Sequence, residues 1–313
     1  MVDFAKIKEL ADKAAAQGKD MNEAQQGGGD YTPPEAGPTR LRFVAYVELG
    51  KQAVTYQGKP NGFKDKALLV FELSGPKHKP VEVNGKLVPA RIGIELPVSL
   101  NEKAHFYKLF RALNHAGKAT HIAQLLGEAY KGTVVHRKYK GRDGKERVEA
   151  ELFDKAKGVY TIEAPRYEIV NEDGPTGEFK MLPVDPPISP VRLFLWDYAD
   201  KEQWDSLFID GEYPERKDKE GKVVAPAKSK NVLQAKVRLA NNFKGSPVYA
   251  VIAAAGGSLD IPDAEDGRDP DAPGTDDEAA GGADNPATGA APTPTGEAAT
   301  DALNAVAQPS LGM

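Results

Sequence analysis

The chain has 313 residues, with 41 Lys or Arg against 46 Asp or Glu, a formal net charge of −5 and no cysteine. Without cysteine, disulfides, thiolate nucleophiles, zinc ribbons and Fe–S clusters are excluded together. The charge is split along the chain: residues 258–313 hold 12 acids and one basic residue, Arg268, which leaves −11 there and +6 on residues 1–257.

Within residues 1–17, Phe4, Ile7, Leu10, Ala11 and Ala14 recur at helical spacing between Lys6, Lys8 and Lys13, which predicts a short amphipathic helix. It docks either on its own domain or on a neighbouring copy, the second giving self-association. Residues 18–39, with Gly27-Gly28-Gly29 and Pro33, Pro34 and Pro38, read as a linker. From Arg40 the texture becomes β, and residues 40–257 read as one nucleic-acid-binding domain with helical insertions. Leu41, Phe43, Ala45 and Val47 alternate with Arg42, Val44 and Tyr46, residues 67–73 form a second apolar run, and residues 87–98 a third. Between the first two lies a polar excursion, residues 51–66, in which Tyr56 and Phe63 are interleaved with Lys51, Lys59, Lys64 and Lys66. Rings among lysines on a loop can stack on bases while the ammonium groups reach phosphates.

Ser99 followed by Glu102 predicts a capping box opening a helix that ends near Gly117, with Phe106, Leu109, Phe110 and Leu113 as its apolar stripe. A short helical piece over residues 120–126 stops at Gly127. Residues 132–140 and 145–153 then form a predicted hairpin with Asp143-Gly144 as a two-residue turn. That turn sets Val135 opposite Leu152, Arg137 opposite Ala150 and Tyr139 opposite Val148; the other face pairs His136 with Glu151, Lys138 with Glu149 and Lys140 with Arg147. The tip, with Lys140, Arg142, Lys145 and Arg147 crowded beside Arg137 and Tyr139, is either a phosphate grip or a plainly solvated end.

Residues 158–164 read as a strand and 171–190 as a Gly- and Pro-rich loop. A strand over 190–197 delivers Trp196, a short helix over 200–206 carries Trp204, and both rings are expected in the core. Residues 212–229 form a charged, exposed excursion with Lys217, Lys219, Lys222 and Lys228, followed by helical spacing over 231–243 and a last apolar piece over 246–255. Residues 258–313 hold no aromatic residue but 7 Gly and 7 Pro, so they are expected to remain a disordered acidic tail.

Catalytic motifs are missing. Gly127 to Gly132-Thr133 lacks the lysine of a P-loop, and His78, His105, His115, His121 and His136 show no zinc-ligand spacing. Asp154 with Glu178-Phe179-Lys180 only loosely mimics a nuclease acid set, and no Gly-x-Ser-x-Gly elbow exists. No enzyme, metal or cofactor is therefore expected. Short strands, an inserted helix and basic loops carrying rings fit a mainly β, α+β fold, an OB-fold-like Greek-key barrel that tracks a single strand.

The segments Pro190-Val-Arg-Leu-Phe-Leu-Trp-Asp197, Gln203-Trp-Asp-Ser-Leu-Phe-Ile209 and Asn242-Phe-Lys-Gly-Ser-Pro-Val-Tyr249, with the acidic tail, resemble the single-stranded DNA-binding proteins of tailed bacteriophages. The resemblance implies an OB-fold core, coating of single-stranded DNA in phage replication and recombination, and a tail that contacts polymerase or helicase partners. The expected DNA-binding residues are Lys51, Tyr56, Lys59, Phe63, Lys64, Lys66, Arg137, Lys138, Tyr139, Lys140, Arg142 and Lys145. The expected location is the host cytoplasm, since no apolar run is long enough for a membrane span. The alternative reading is a virion or scaffolding protein that uses the basic loops and the tail for protein contacts.

Overall fold

A strand whose apolar residues run almost without interruption buries both faces, and residues 41–49, Leu-Arg-Phe-Val-Ala-Tyr-Val-Glu-Leu, are such a run. The computed structural model of the protein describes residues 32–56, 59–83, 85–140, 146–172, 174–217 and 221–262, and this run is the middle of β1 (Gly37–Tyr56). β1 pairs antiparallel with β2 (Lys59–Ser74) from Arg40↔Ser74 to Tyr56↔Lys59. A bulge between Phe43 and Ala45 inserts one extra residue. Side chains alternate with period two, so the insertion exchanges the faces. Leu41 and Phe43 enter one core before the bulge and Tyr46 after it, while Val47 and Leu49 turn to a second core. The even alternation of Leu41, Phe43, Ala45 and Val47 expected from the sequence breaks for this reason.

A small hairpin, β3 (Val81–Val83) with β4 (Lys86–Val88), precedes β5 (Arg91–Pro97), which pairs with β2. Helix α1 (His105–Leu113) and a 3-10 turn (Ile122–Leu125) lead into β6 (Ala129–Lys140) and β7 (Glu146–Glu151). The sheet order is β5-β2-β1-β6-β7. The protein is thus mainly β with inserted helices, as the sequence predicts. The path stays open between β5 and β7 among the described residues, so no barrel is closed by backbone pairing. After β7 come β8 (Phe153–Asp154) and β9 (Val159–Tyr160), and α1 packs against β9 and β5. Phe106, Leu109 and Leu113 of α1 join Ile92, Leu96, Ala150 and Leu152 in the first core. The expected capping box does not form: the helix starts later, at Ala104, with no side-chain cap, because Ser99 accepts from Asn101 N and Asn101 Oδ1 from Lys103 N in a preceding turn.

The second core lies on the other face of β1. β10 (Arg166–Asn171) and β11 (Gly174–Met181) form a hairpin in a region whose second half the sequence reads as loop. Every described side chain of β10 is exposed, so no alternation marked it. β12 (Arg192–Phe194) adds parallel to β1 at Ala45–Val47. Then follow a 3-10 turn at Trp196–Tyr198, α2 (Lys201–Ser206), the strand pieces β13 (Glu212–Tyr213), β14 (Arg216–Lys217), β15 (Val223–Ala225) and β16 (Lys228–Ser229), α3 (Val232–Arg238) and α4 (Pro247–Ala254). Trp196 and Trp204, each 8% exposed, pack with Phe194, Leu207, Val237, Phe243, Val248 and Ile252 on Val47 and Leu49. Burial of both tryptophans agrees with the sequence reading. Among the described residues no helix is long and apolar enough to cross a membrane.

Two further expectations are corrected. Residues 51–66 are not a loop: β1 and β2 continue as a paired ribbon through Lys51↔Asp65, Gln52↔Lys64 and Ala53↔Phe63. Backbone ladders hold a ribbon without any apolar pattern, which left it invisible to periodicity. The β6–β7 hairpin is shifted by one residue from the expected register, pairing Val135↔Glu151, His136↔Ala150, Arg137↔Glu149, Lys138↔Val148, Tyr139↔Arg147 and Lys140↔Glu146. Val134, Ala150 and Leu152 are all in the first core. Burying those three on one face requires this register, and the register set by a two-residue turn would divide them. The Asp143-Gly144 turn, the helix predicted within residues 1–17, the part of the linker up to residue 31 and the tail from residue 263 lie outside the described residues.

Candidate nucleic-acid interface

The outer face of β1, β2 and β5 is closed by the chain itself. Arg42 donates to the carbonyls of Gly127 (3.0 Å), Val184 (2.6 Å) and Asp185 (3.0 Å), and Glu72 accepts from Ile188 N (2.8 Å) and Ser189 N (2.7 Å). With the second core packed on Val47, Leu49 and Leu68, the middle of this sheet has no open face for a ligand. The distal part of the β1–β2 ribbon and the distal part of the β6–β7 hairpin project beyond both cores. These carry the residues singled out from the sequence.

On the ribbon, Lys51, Lys59 and Lys64 are exposed and Phe63 is 53% exposed. The register divides them. Lys51 and Phe63 occupy diagonal cross-strand positions on one face, roughly 7 Å apart, whereas Gln52 and Lys64 share the opposite face. Tyr56 pairs with Lys59 through its backbone at the tip, and its side chain lies outside the described set. The ribbon base is fixed from outside: Asn241 N donates to Lys51 O (2.8 Å), Asn242 Oδ1 accepts from Lys51 N (2.7 Å) and Gln52 Nε2 donates to Lys236 O (2.9 Å). These anchors were missed in the sequence, where Asn241 and Asn242 lie about 190 positions away from Lys51 with no local sign of the contact.

Lys66 departs from its expected role. It is 7% exposed, its ammonium lies 3.4 Å from Glu95, and Lys236 pairs with the same carboxylate. A lysine held in such a cluster is removed from any surface contact with a phosphate.

On the β6–β7 hairpin, Lys138 and Lys140 are exposed, Tyr139 is half-buried, and Arg142 and Lys145 lie outside the described residues. Arg137 is corrected. The true register puts Glu149 opposite it and Glu151 two residues further on the same face, and both carboxylates bind its guanidinium, with the three side chains 15–16% exposed. Burial works against the Arg137 charge, but Glu149 and then Glu151 outweigh it and hold the guanidinium above its ordinary value. Burial also holds the Glu149 carboxyl above its usual range, opposed by Arg137 and reinforced by the like charge of Glu151. Arg137 is thus a neutralised positioning group whose guanidinium sits 5.2 Å from the Tyr139 ring centre, not a phosphate grip. His136 binds the Pro34 carbonyl at 2.7 Å, which straps the segment before β1 against β6.

β6 runs antiparallel to β1 from Arg42↔Ala129 to Gly37↔Val134 and continues beyond it. The hairpin tip and the ribbon tip therefore leave from opposite ends of β1. The structure gathers Lys51 with Phe63 and Lys138 with Lys140, and does not join the two groups.

Among the described residues no cluster of His, Asp and Glu is placed to hold a metal ion. Asp154 Oδ1 instead accepts from Ala156 N (3.0 Å) and Lys157 N (3.2 Å) in a turn, and these backbone donors lower its carboxyl below the usual range. Comparison with known proteins finds no matching family model, no matching curated protein and no matching solved structure.

Proposed function

We propose that the protein binds single-stranded DNA with little regard to sequence, as a coating protein in phage-type replication and recombination. The observation that carries this is that the exposed Phe63 ring and Lys51 occupy diagonal positions on one face of the ribbon that β1 and β2 form beyond Gly50. A ring for base stacking beside a cation for phosphate is the minimal unit of sequence-tolerant recognition, each stacked base contributing about 1–3 kcal/mol. The topology supports the same reading. Order β5-β2-β1-β6-β7, with a helix between the third and fourth of these strands in the chain, supports reading the sheet as an OB fold opened along one seam. The ribbon and the hairpin are then the two loops with which that fold binds oligonucleotides. The −11 charge of residues 258–313 would compete for the same cations and offer a contact to polymerase or helicase partners.

Titration of labelled oligo-dT at several salt concentrations tests this. Lys51, Lys59, Lys64, Lys138 and Lys140 provide five phosphate contacts, and at about −0.7 per contact the slope of log K on log salt is expected near −3.5. Affinity then falls about 100-fold between 50 and 200 mM salt, with weaker binding to duplex. Absence of binding at every salt concentration refutes the proposal. One observation favours the second reading, a virion or scaffolding component: the β10–β11 hairpin exposes Val170 (67%), Met181 (65%) and Phe179 (50%), an apolar surface suited to protein.

A further inference from the structure

A second charged ribbon lies in the part of the chain that follows α2. Residues 211–230 contain six basic residues, Arg216, Lys217, Lys219, Lys222, Lys228 and Lys230, against four acids. The sequence marks them only as an exposed excursion. In the structure they fold back on themselves: Lys230 N donates to Gly211 O (3.0 Å), and the pairs Glu212↔Ser229, Tyr213↔Lys228, Arg216↔Ala225 and Lys217↔Val223 extend the ladder outward. Lys230 Nζ lies 5.4 Å from the centre of the Tyr213 ring, and Lys217 pairs with Glu215 at 3.0 Å. Cations and a ring on a β-ribbon thus occur twice in this fold, at positions about 160 residues apart in the chain.

Both ribbons are anchored to α3. The second feeds directly into it, with Val232 N donating to Lys230 O (2.8 Å), and its base is held by Asn231 Oδ1, which accepts from Ile209 N (3.4 Å), while Gln234 ties α3 itself to α2 by donating to Trp204 O (2.8 Å). The first is gripped at the other end, where Lys236 O accepts from Gln52 and the turn at Asn241 and Asn242 holds Lys51. At 1.5 Å of rise per residue, Val232 and Lys236 are separated by about 6 Å along the helix. Lys64 shares the Gln52 face of the first ribbon, the face turned to α3, while Lys51 and Phe63 are on the reverse.

The geometry points to a two-ribbon grip. A nucleic-acid strand stacked on Phe63 crosses the first ribbon past Lys64 and continues onto the second, where Tyr213 offers a ring and Lys217, Lys222 and Lys228 reach its phosphates. This rests on the single-strand reading above and adds a second contact surface to it. It also gives Lys64, which faces away from Phe63, a place on the path of the strand.

The test compares three full-length proteins: the parent, a first-ribbon variant Lys51→Ser/Lys59→Ser/Lys64→Ser and a second-ribbon variant Lys217→Ser/Lys222→Ser/Lys228→Ser. Each is titrated with oligo-dT of about 8 and about 30 nucleotides, the first within and the second beyond the usual span of one OB fold. The second-ribbon variant should bind the short oligonucleotide as the parent does, bind the long one at least 10-fold more weakly, and lose about 2 from the salt slope. Tryptophan fluorescence identical to the parent confirms that it is folded. If the parent binds and only the first-ribbon variant loses slope, the two-ribbon grip is wrong and the single-strand reading stands. If the parent binds neither oligonucleotide at any salt concentration, the single-strand reading itself is wrong.

Discussion

Gly50 stands where β1 leaves the sheet to become a ribbon, next to a register shift and at φ +68°. Replacing it with alanine imposes two separable costs. The left-handed backbone disfavours any side chain by about 1 kcal/mol. In addition, the new Cβ would lie 2.4 Å from Trp196 Cη2 and Cζ3 and 2.9 Å from Ala240 Cβ, so the second core must shift around a rigid indole. Overpacking of that kind costs about 1–3 kcal/mol, which gives about 2–4 kcal/mol in all for Gly50→Ala. Gly62, further along the same ribbon, supplies the control: its φ is +74°, but a Cβ there meets nothing within 4 Å. Gly62→Ala should therefore cost only the backbone part, about 1 kcal/mol. Urea unfolding followed by the fluorescence of Trp196 and Trp204, both in the core that Gly50 abuts, measures each directly. If Gly50→Ala is no more destabilising than Gly62→Ala, the packing of Trp196 on the ribbon base is wrong.

Two other expectations concern charge. Lys66→Met should shift the urea midpoint and leave the oligonucleotide salt slope unchanged. Glu95→Gln should be costlier, about 3 kcal/mol, because it removes the carboxylate charge with which both Lys66 and Lys236 pair. A loss of salt slope in Lys66→Met would return that lysine to the interface. At the start of α2, Asp200 accepts a hydrogen bond from Gln203 N at 2.8 Å, and this bond, with a further one from the Gln203 side chain, holds its carboxyl below the usual range. A depressed carboxyl stabilises the fold above its unfolded value, about pH 3.9, and loses that contribution as pH falls through the folded one. The stability difference between the parent and Asp200→Asn should accordingly shrink on acidification below pH 4; a difference that stays constant there would disprove the cap.

The sequence made the strands and the rings legible and left their neighbours dark. Apolar runs marked β1, β2, β5 and the centre of β6, and the stripe Phe106, Leu109, Leu113 marked α1, because these elements bury a periodic face. Lys64 and Lys66 read alike, two positions apart on one face, yet Lys66 meets Glu95 and Lys236 while Lys64 lies beyond them. Nothing local encodes partners about 30 and 170 residues away. Arg137 was misread for a different reason. A one-residue shift of register moves every cross-strand partner, and only the joint burial of Val134, Ala150 and Leu152 reveals which register is adopted.

The single extra residue at Val44 has a consequence for how this chain can vary. Because the bulge absorbs it, Leu41, Phe43 and Tyr46 keep one interior while Val47 and Leu49 keep the other, so deleting Val44 would straighten the strand and leave each of these side chains on its present face. Distant relatives should accordingly admit a one-residue gap at Val44, and larger length changes should collect in the two projecting ribbons and the hairpin ends.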